Sequence, residues 1–198
     1  EGSNDYNNAT ITAQPLEILA PDLVVQSVSA PSSAQFGEQV AVTWTVSNTG
    51  TLDATGTWQD RIFLSTTPTL GAGTVQLFAQ TIVGESPMAP DGSYQRTAVV
   101  TIPLSQSSVP GARYLIAQTD ALNQVVELND QNNTLASEPI GVTLPPLPNL
   151  VVSTVGTPPS GPVGAPIEVT WTVTNSGDAP AVGPWVDSVF ASADSQIG

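Results

Sequence analysis

From residue 40 to residue 48 the side chains alternate without a break. Val40, Val42, Trp44 and Val46 fall on one face, and Ala41, Thr43, Thr45 and Ser47 on the other. A period of two carried by β-branched and aromatic residues predicts a strand with one buried face. The "NTG" that follows predicts a turn, because asparagine and glycine tolerate positive φ. The same reading predicts strands over 22–29, 58–65, 76–83, 94–102, 112–120 and 134–144. Clusters of Gly, Pro, Ser and Asn separate them, and no segment has helical periodicity. The 18 prolines and 16 glycines fit short strands joined by many turns.

The pattern then repeats. "VTWTVSNTG" at 42–50 returns as "VTWTVTNSG" at 169–177, and "PDLVV" at 21–25 as "PNLVV" at 148–152. Trp44, Trp58 and Asp60 are answered by Trp171, Trp185 and Asp187, all 127 residues further on. A second echo joins "NDYNN" at 4–8 to "NDQNN" at 129–133. A fixed period of this kind predicts a tandem array. Residues 1–20 are expected to be the C-terminal strand of a preceding repeat, 21–145 one complete repeat, and 146–198 the N-terminal half of the next. Only 21–145 is expected to fold unaided.

About seven strands in one repeat, with a turn every ~8–12 residues, predict an all-β fold, an immunoglobulin-like β-sandwich. Trp44 and Trp58 are expected to fill the space between the sheets, since no cysteine is present to bridge it. Tyr114, after "PG" at the start of a late strand, is a candidate tyrosine corner.

Charge narrows the function. Seventeen acidic residues stand against three cations, Arg61, Arg96 and Arg113, for a net charge of −14. That balance argues against nucleic acid and against anionic membrane surfaces. It suits an exposed protein that stays soluble, or one that recruits cations. No apolar run is long enough for a membrane helix. With neither histidine nor cysteine, Ser-His and Cys-His nucleophile pairs are excluded, and zinc lacks its preferred ligands. No nucleotide-binding or hydrolase motif is present.

The densest polar chemistry lies in "DALNQVVELNDQNN", 120–133. Asp120, Asn123, Glu127, Asn129 and Asp130, joined by Asp60 from the strand that starts at the same pole, form a candidate calcium site. Calcium takes six to eight oxygens from such groups. The EF-hand spacing is absent. Asn48, Asn132 and Asn133 lie close to the same pole, where the chain enters at Asp22. The competing reading is Asx-turn chemistry, in which these side chains bond nearby amides, and for Asp60 a hydrogen bond or an arginine partner. Two glycosylation sequons, "NAT" at 8–10 and "NNT" at 132–134, are read as chance matches.

"PDLVV", "VTWTVSNTG", "WQDRIFLST" and "DALNQVVELNDQNN", in that order, resemble the CARDB module, the cell-adhesion-related domain found in bacteria. The resemblance spans 21–145, and again 148–198 as far as that copy extends. It implies an immunoglobulin-like sandwich, occurrence in tandem arrays of large secreted or surface proteins, and no catalytic residues. The expected role is a structural or adhesive segment of a large bacterial surface or filament-forming protein, extracellular or on the cell surface. Its expected partners are neighbouring repeats and, through edge strands, other copies of the chain. The alternative is a spacer or binding module of a secreted hydrolase. An enzyme within these residues would need paired carboxylates, and no spacing suggests them.

Overall fold

The alternation at 40–48 builds the longest strand among the described residues. The computed structural model describes residues 14–194 and divides the chain into two units at Thr143/Leu144. The first unit holds β1 (Leu23–Ser29), β2 (Ser33–Gln35), β3 (Gln39–Asn48), β4 (Trp58–Ser65), β5 (Val75–Ile82), β6 (Ser93–Thr101), β7 (Gly111–Gln118), β8 (Thr134–Ala136) and β9 (Ile140–Thr143). The second holds β10 (Leu150–Gly156) and β11 (Thr170–Asn175). The described residues contain no helix. Most of the 1–20 segment, including "NDYNN" and the 8–10 sequon, lies outside the described residues.

In the first unit two sheets face each other. One runs β1–β3–β6; the other runs β2–β9–β7–β4–β5, with β8 also on β7. All pairs are antiparallel except β2–β9. Val40, Val42, Trp44 and Val46 turn inward, as their alternation requires, and meet Trp58, Ile62, Leu64, Leu115, Ile140 and Val142 from the opposite sheet. Trp44 and Trp58 are 1% and 0% exposed. Trp44 meets Phe78 edge-on at 6.0 Å between ring centroids. Each buried indole removes on the order of 200 Å² from water, so the pair is a large part of the apolar driving force.

Three features depart from the expected pattern. The strand expected over 134–144 is broken into β8 and β9 at Ser137–Pro139, because Pro139 has no amide to give a ladder. Ser137 spans the break: its N–H donates to Leu115 O (2.8 Å) and its Oγ accepts from Leu115 N (3.1 Å). The three-residue β2 was too short to register as a period. Tyr114 is only half-buried, opposite Ser65; the tyrosine hydroxyl buried between the sheets belongs to Tyr94.

The second unit reproduces the entry of the first. β10 pairs with β11 as β1 pairs with β3, from Leu150↔Asn175 against Leu23↔Asn48, with the same bulge between Val152/Thr154 and Val25/Ser27. Asn175 Oδ1 accepts from Asn149 N (2.9 Å) and Gly177 N (3.1 Å); Asn48 Oδ1 accepts from Asp22 N (3.0 Å) and Gly50 N (3.1 Å). Gly50 and Gly177 each lie against the entering chain, where a Cβ would collide with backbone. The burial differs: Trp171 and Trp185 are 43% and 52% exposed.

Candidate functional site

The alternation of β4 places Trp58, Asp60 and Ile62 inward, so a carboxylate enters the core between two large side chains. Asp60 is fully buried. Its Oδ2 accepts from Trp44 Nε1 at 2.7 Å, and Tyr94 Oη donates to both oxygens at 2.9 and 3.0 Å. Trp58 Nε1 in turn donates to Tyr94 Oη at 2.9 Å. Trp44 and Tyr94 belong to one sheet, Trp58 and Asp60 to the other, so this network fastens the two sheets through the core. Arg96 pairs with Glu85 rather than with Asp60. Its guanidinium lies 5.4 Å from the Tyr94 ring centroid.

At the pole where the chain enters, Asn48 at the end of β3 is fully buried. Besides accepting from Asp22 and Gly50, its Nδ2 donates to Leu52 O (2.7 Å) and Met88 O (2.9 Å). The β7–β8 loop folds over the same place. Glu127 accepts from Leu23 N and, at 2.6 Å, from Asn133 Nδ2. Asn132 Nδ2 donates to both Asp22 carboxylate oxygens at 3.0 and 3.2 Å, and Leu128 N donates to Pro21 O at 3.0 Å. The β7–β8 loop therefore holds the first residues of β1 through side chains more than 100 positions away.

The six residues expected to hold calcium do not form one cluster. Asp60 is committed to Trp44 and Tyr94 inside the core. Asp120, itself buried, accepts from Gln124 N and Val125 N, both at 2.9 Å, and closes its own turn. Asp120 and Asn123 both take positive φ, 38° and 49°, as turn residues of this kind tolerate. Asn129 accepts from Gln131 N at 3.1 Å. These are the Asx-turn roles of the competing reading. Glu127 reaches the chain entry, and Asp130 is exposed beside it. Among the described residues no group of three or more acidic side chains is placed to hold a metal ion.

The family follows from residues 20–137, which match CARDB over more than half of the chain. The chain belongs to the CARDB family. No curated protein matches it. Among solved structures it is similar to the CARDB domain of a Pyrococcus furiosus protein, crystallised in complex with di-metal ions. That likeness has 21% identity and a TM-score of 0.48, covering 66% of this chain and all of that one. It is also similar to a domain of a "putative cell surface protein" from Methanosarcina acetivorans, at 22% identity and a TM-score of 0.43, over 63% of this chain and 94% of that one. A β-glucosidase from Listeria innocua matches at 13% identity and a TM-score of 0.41, over 62% of this chain and 16% of that one.

Within this CARDB domain, sequence reasoning found Asp60, Glu127 and the asparagines but missed Tyr94. The signal was present: Tyr94 shares the inward parity of Ala98 and Val100 on β6.

Burial pushes the Asp60 carboxyl above its ordinary value, against the hydrogen bonds from Trp44 and Tyr94. Burial likewise raises Glu127 from 4.5 to about 7, with Asp120 and Asp130 adding to the shift and Asn133 and Leu23 N opposing it. Both folded-state values lie above the unfolded ones, so both groups favour folding most at low pH. For Glu127 this contribution is complete below 4.5 and is lost as pH rises through about 7. In metal-free buffer the melting midpoint is therefore expected to be higher at pH 5 than at pH 8. Glu127→Gln is expected to flatten that slope; an unchanged slope in the variant would remove Glu127 as its source.

Proposed function

We propose that this CARDB chain is a structural or adhesive segment of a large bacterial surface or extracellular filament protein, acting as a stiff spacer or fibre building block. The observation that carries the reading is the duplicated entry: β10–β11 copies β1–β3 down to the bulge and the asparagine bonds. A motif copied at that level, 127 residues apart, is what tandem domains of one array have in common. The strand order β1–β3–β6 over β2–β9–β7–β4–β5 supports an immunoglobulin-like arrangement for the repeat. "PPLP" at 145–148 favours an extended connector between repeats.

The reading assigns the chain no catalytic role and an extracellular or cell-surface setting, to which its excess negative charge is suited. Its partners are neighbouring repeats. Other copies of the chain are a second class, reached by edge pairing: β5 and β6 each end a sheet, and Arg96 is the one charged residue in the two strands.

Negative-stain imaging and intact mass of the native protein test the role. A very large chain seen as thin beaded rods or fibres is the expected result. A modest chain carrying one compact additional domain would overturn the scaffold role and leave these residues as that domain's spacer.

A further inference from the structure

We propose that the pole where the chain enters the first unit binds a divalent cation, calcium, through oxygens of Glu127, Asn133, Asn132 and Asp22. The site differs from the cluster expected from sequence: Asp60, Asp120, Asn123 and Asn129 take no part, and Asp22, Asn132 and Asn133 enter.

Two acceptor oxygens there have no hydrogen-bond partner although both are buried: Oδ1 of Asn132 and Oδ1 of Asn133. Asn133 as a whole is only 4% exposed. Buried polar atoms are nearly always matched, so an orphan acceptor in a polar nest asks for a donor or a cation. Exchanging the amide ends does not satisfy them. Asn133 Nδ2 donates to Glu127 Oε2 at 2.6 Å, and Asn132 Nδ2 donates to the Asp22 carboxylate at 3.0 and 3.2 Å. Turning either amide would set a carbonyl oxygen against a carboxylate.

Charge points the same way. Glu127 sits at the amide of Leu23, the residue after Asp22, with Asp120 and Asp130 close enough to Glu127 to act on it. The chain's three arginines are engaged elsewhere: Arg96 with Glu85, Arg61 with Gln59, and Arg113 with the carbonyls of Val109 and Ala112. No side chain brings positive charge to the nest. The nest itself is held in place by backbone: Leu23 N donates to Glu127, and Asn48 fixes the Asp22 amide. A donor set of carboxylate and amide oxygens, without nitrogen or sulfur, selects a hard cation. A protein-built set with few waters favours calcium over magnesium.

The test uses the full 198-residue chain, stripped of metal, at pH 8, with calcium chloride titrated by calorimetry and melts run in calcium and in EDTA. Calcium is expected to bind and to raise the midpoint by about 5 °C at saturation, with magnesium at least about tenfold weaker. Glu127→Gln keeps an oxygen for Leu23 N and is expected to weaken calcium at least about tenfold. Asn132→Ala, at a less buried position, is expected to weaken it several-fold. Glu138→Gln, an exposed acidic residue outside the nest, is expected to change nothing. Equal midpoints in calcium and EDTA would overturn the proposal, as would wild-type affinity in both Glu127→Gln and Asn132→Ala. If calcium has no effect while Glu127→Gln abolishes the gain in stability between pH 8 and pH 5, the nest takes a proton and the cation site is refuted.

Discussion

Trp44→Ala is expected to cost about 5 kcal/mol or more, enough to leave the first unit largely unfolded. Emptying the space of a buried indole costs ~3–5 kcal/mol by itself. Trp44 lies between the two sheets at 1% exposure, where no solvent or loop can close the gap. The substitution also removes the Nε1–H that Asp60 Oδ2 accepts at 2.7 Å, inside a core where only Tyr94 and Thr119 remain as donors to the carboxylate. Losing a partner from a buried charged group adds roughly 1–3 kcal/mol. Total stabilities of single domains are about 5–15 kcal/mol, so the sum is comparable with the whole. Trp44→Phe separates the two contributions. It keeps most of the apolar volume and loses the donor, and about 2–3 kcal/mol is expected in urea unfolding. A Trp44→Phe variant as stable as the parent would show that the bond to Asp60 does not hold the sheets together.

Asn48→Ala is expected to cost about 3–5 kcal/mol, far more than its size suggests. The side chain is fully buried and makes four bonds to backbone: it accepts from Asp22 N and Gly50 N, and donates to Leu52 O and Met88 O. Alanine leaves all four groups short of a partner, at roughly 1 kcal/mol each when some reach water and more where they do not. Those groups lie in the entering chain, in the turn after β3 and in the segment before β6, so the loss loosens three pieces of the pole together. Asn175 makes three of the same bonds in the second unit, to Asn149 N, Gly177 N and Ala179 O, but at an exposed position. Asn175→Ala is expected to change stability by only about 0.5 kcal/mol, because water replaces what it removes. Urea unfolding of both variants makes the comparison; equal effects would mean that burial does not set the worth of this asparagine.

Most strands of the first unit, the inward faces of β3 and β4 and the 127-residue echo were legible in the chain; β2 and the break between β8 and β9 were not. The reason is local: a pleated strand buries every second side chain, so Val40, Val42, Trp44 and Val46 state their own orientation, and β3 and β4 fall where their alternation predicts. The echo is legible for the same reason, since the same alternation recurs 127 residues on. What the tertiary structure alone decided is the pairing of polar groups. Asp60 finds Trp44 and Tyr94 on the opposite sheet, and Glu127 finds the amide of Leu23, because two sheets stack and a loop folds back over their pole. Composition placed carboxylates and asparagines near one end of the sandwich. It carried no information on which would be consumed by turns, as Asp120 and Asn129 are, and which would meet the entering strand. A hydrogen bond is set by distances of a few tenths of an ångström between segments far apart in sequence, and the period of a strand does not encode such distances.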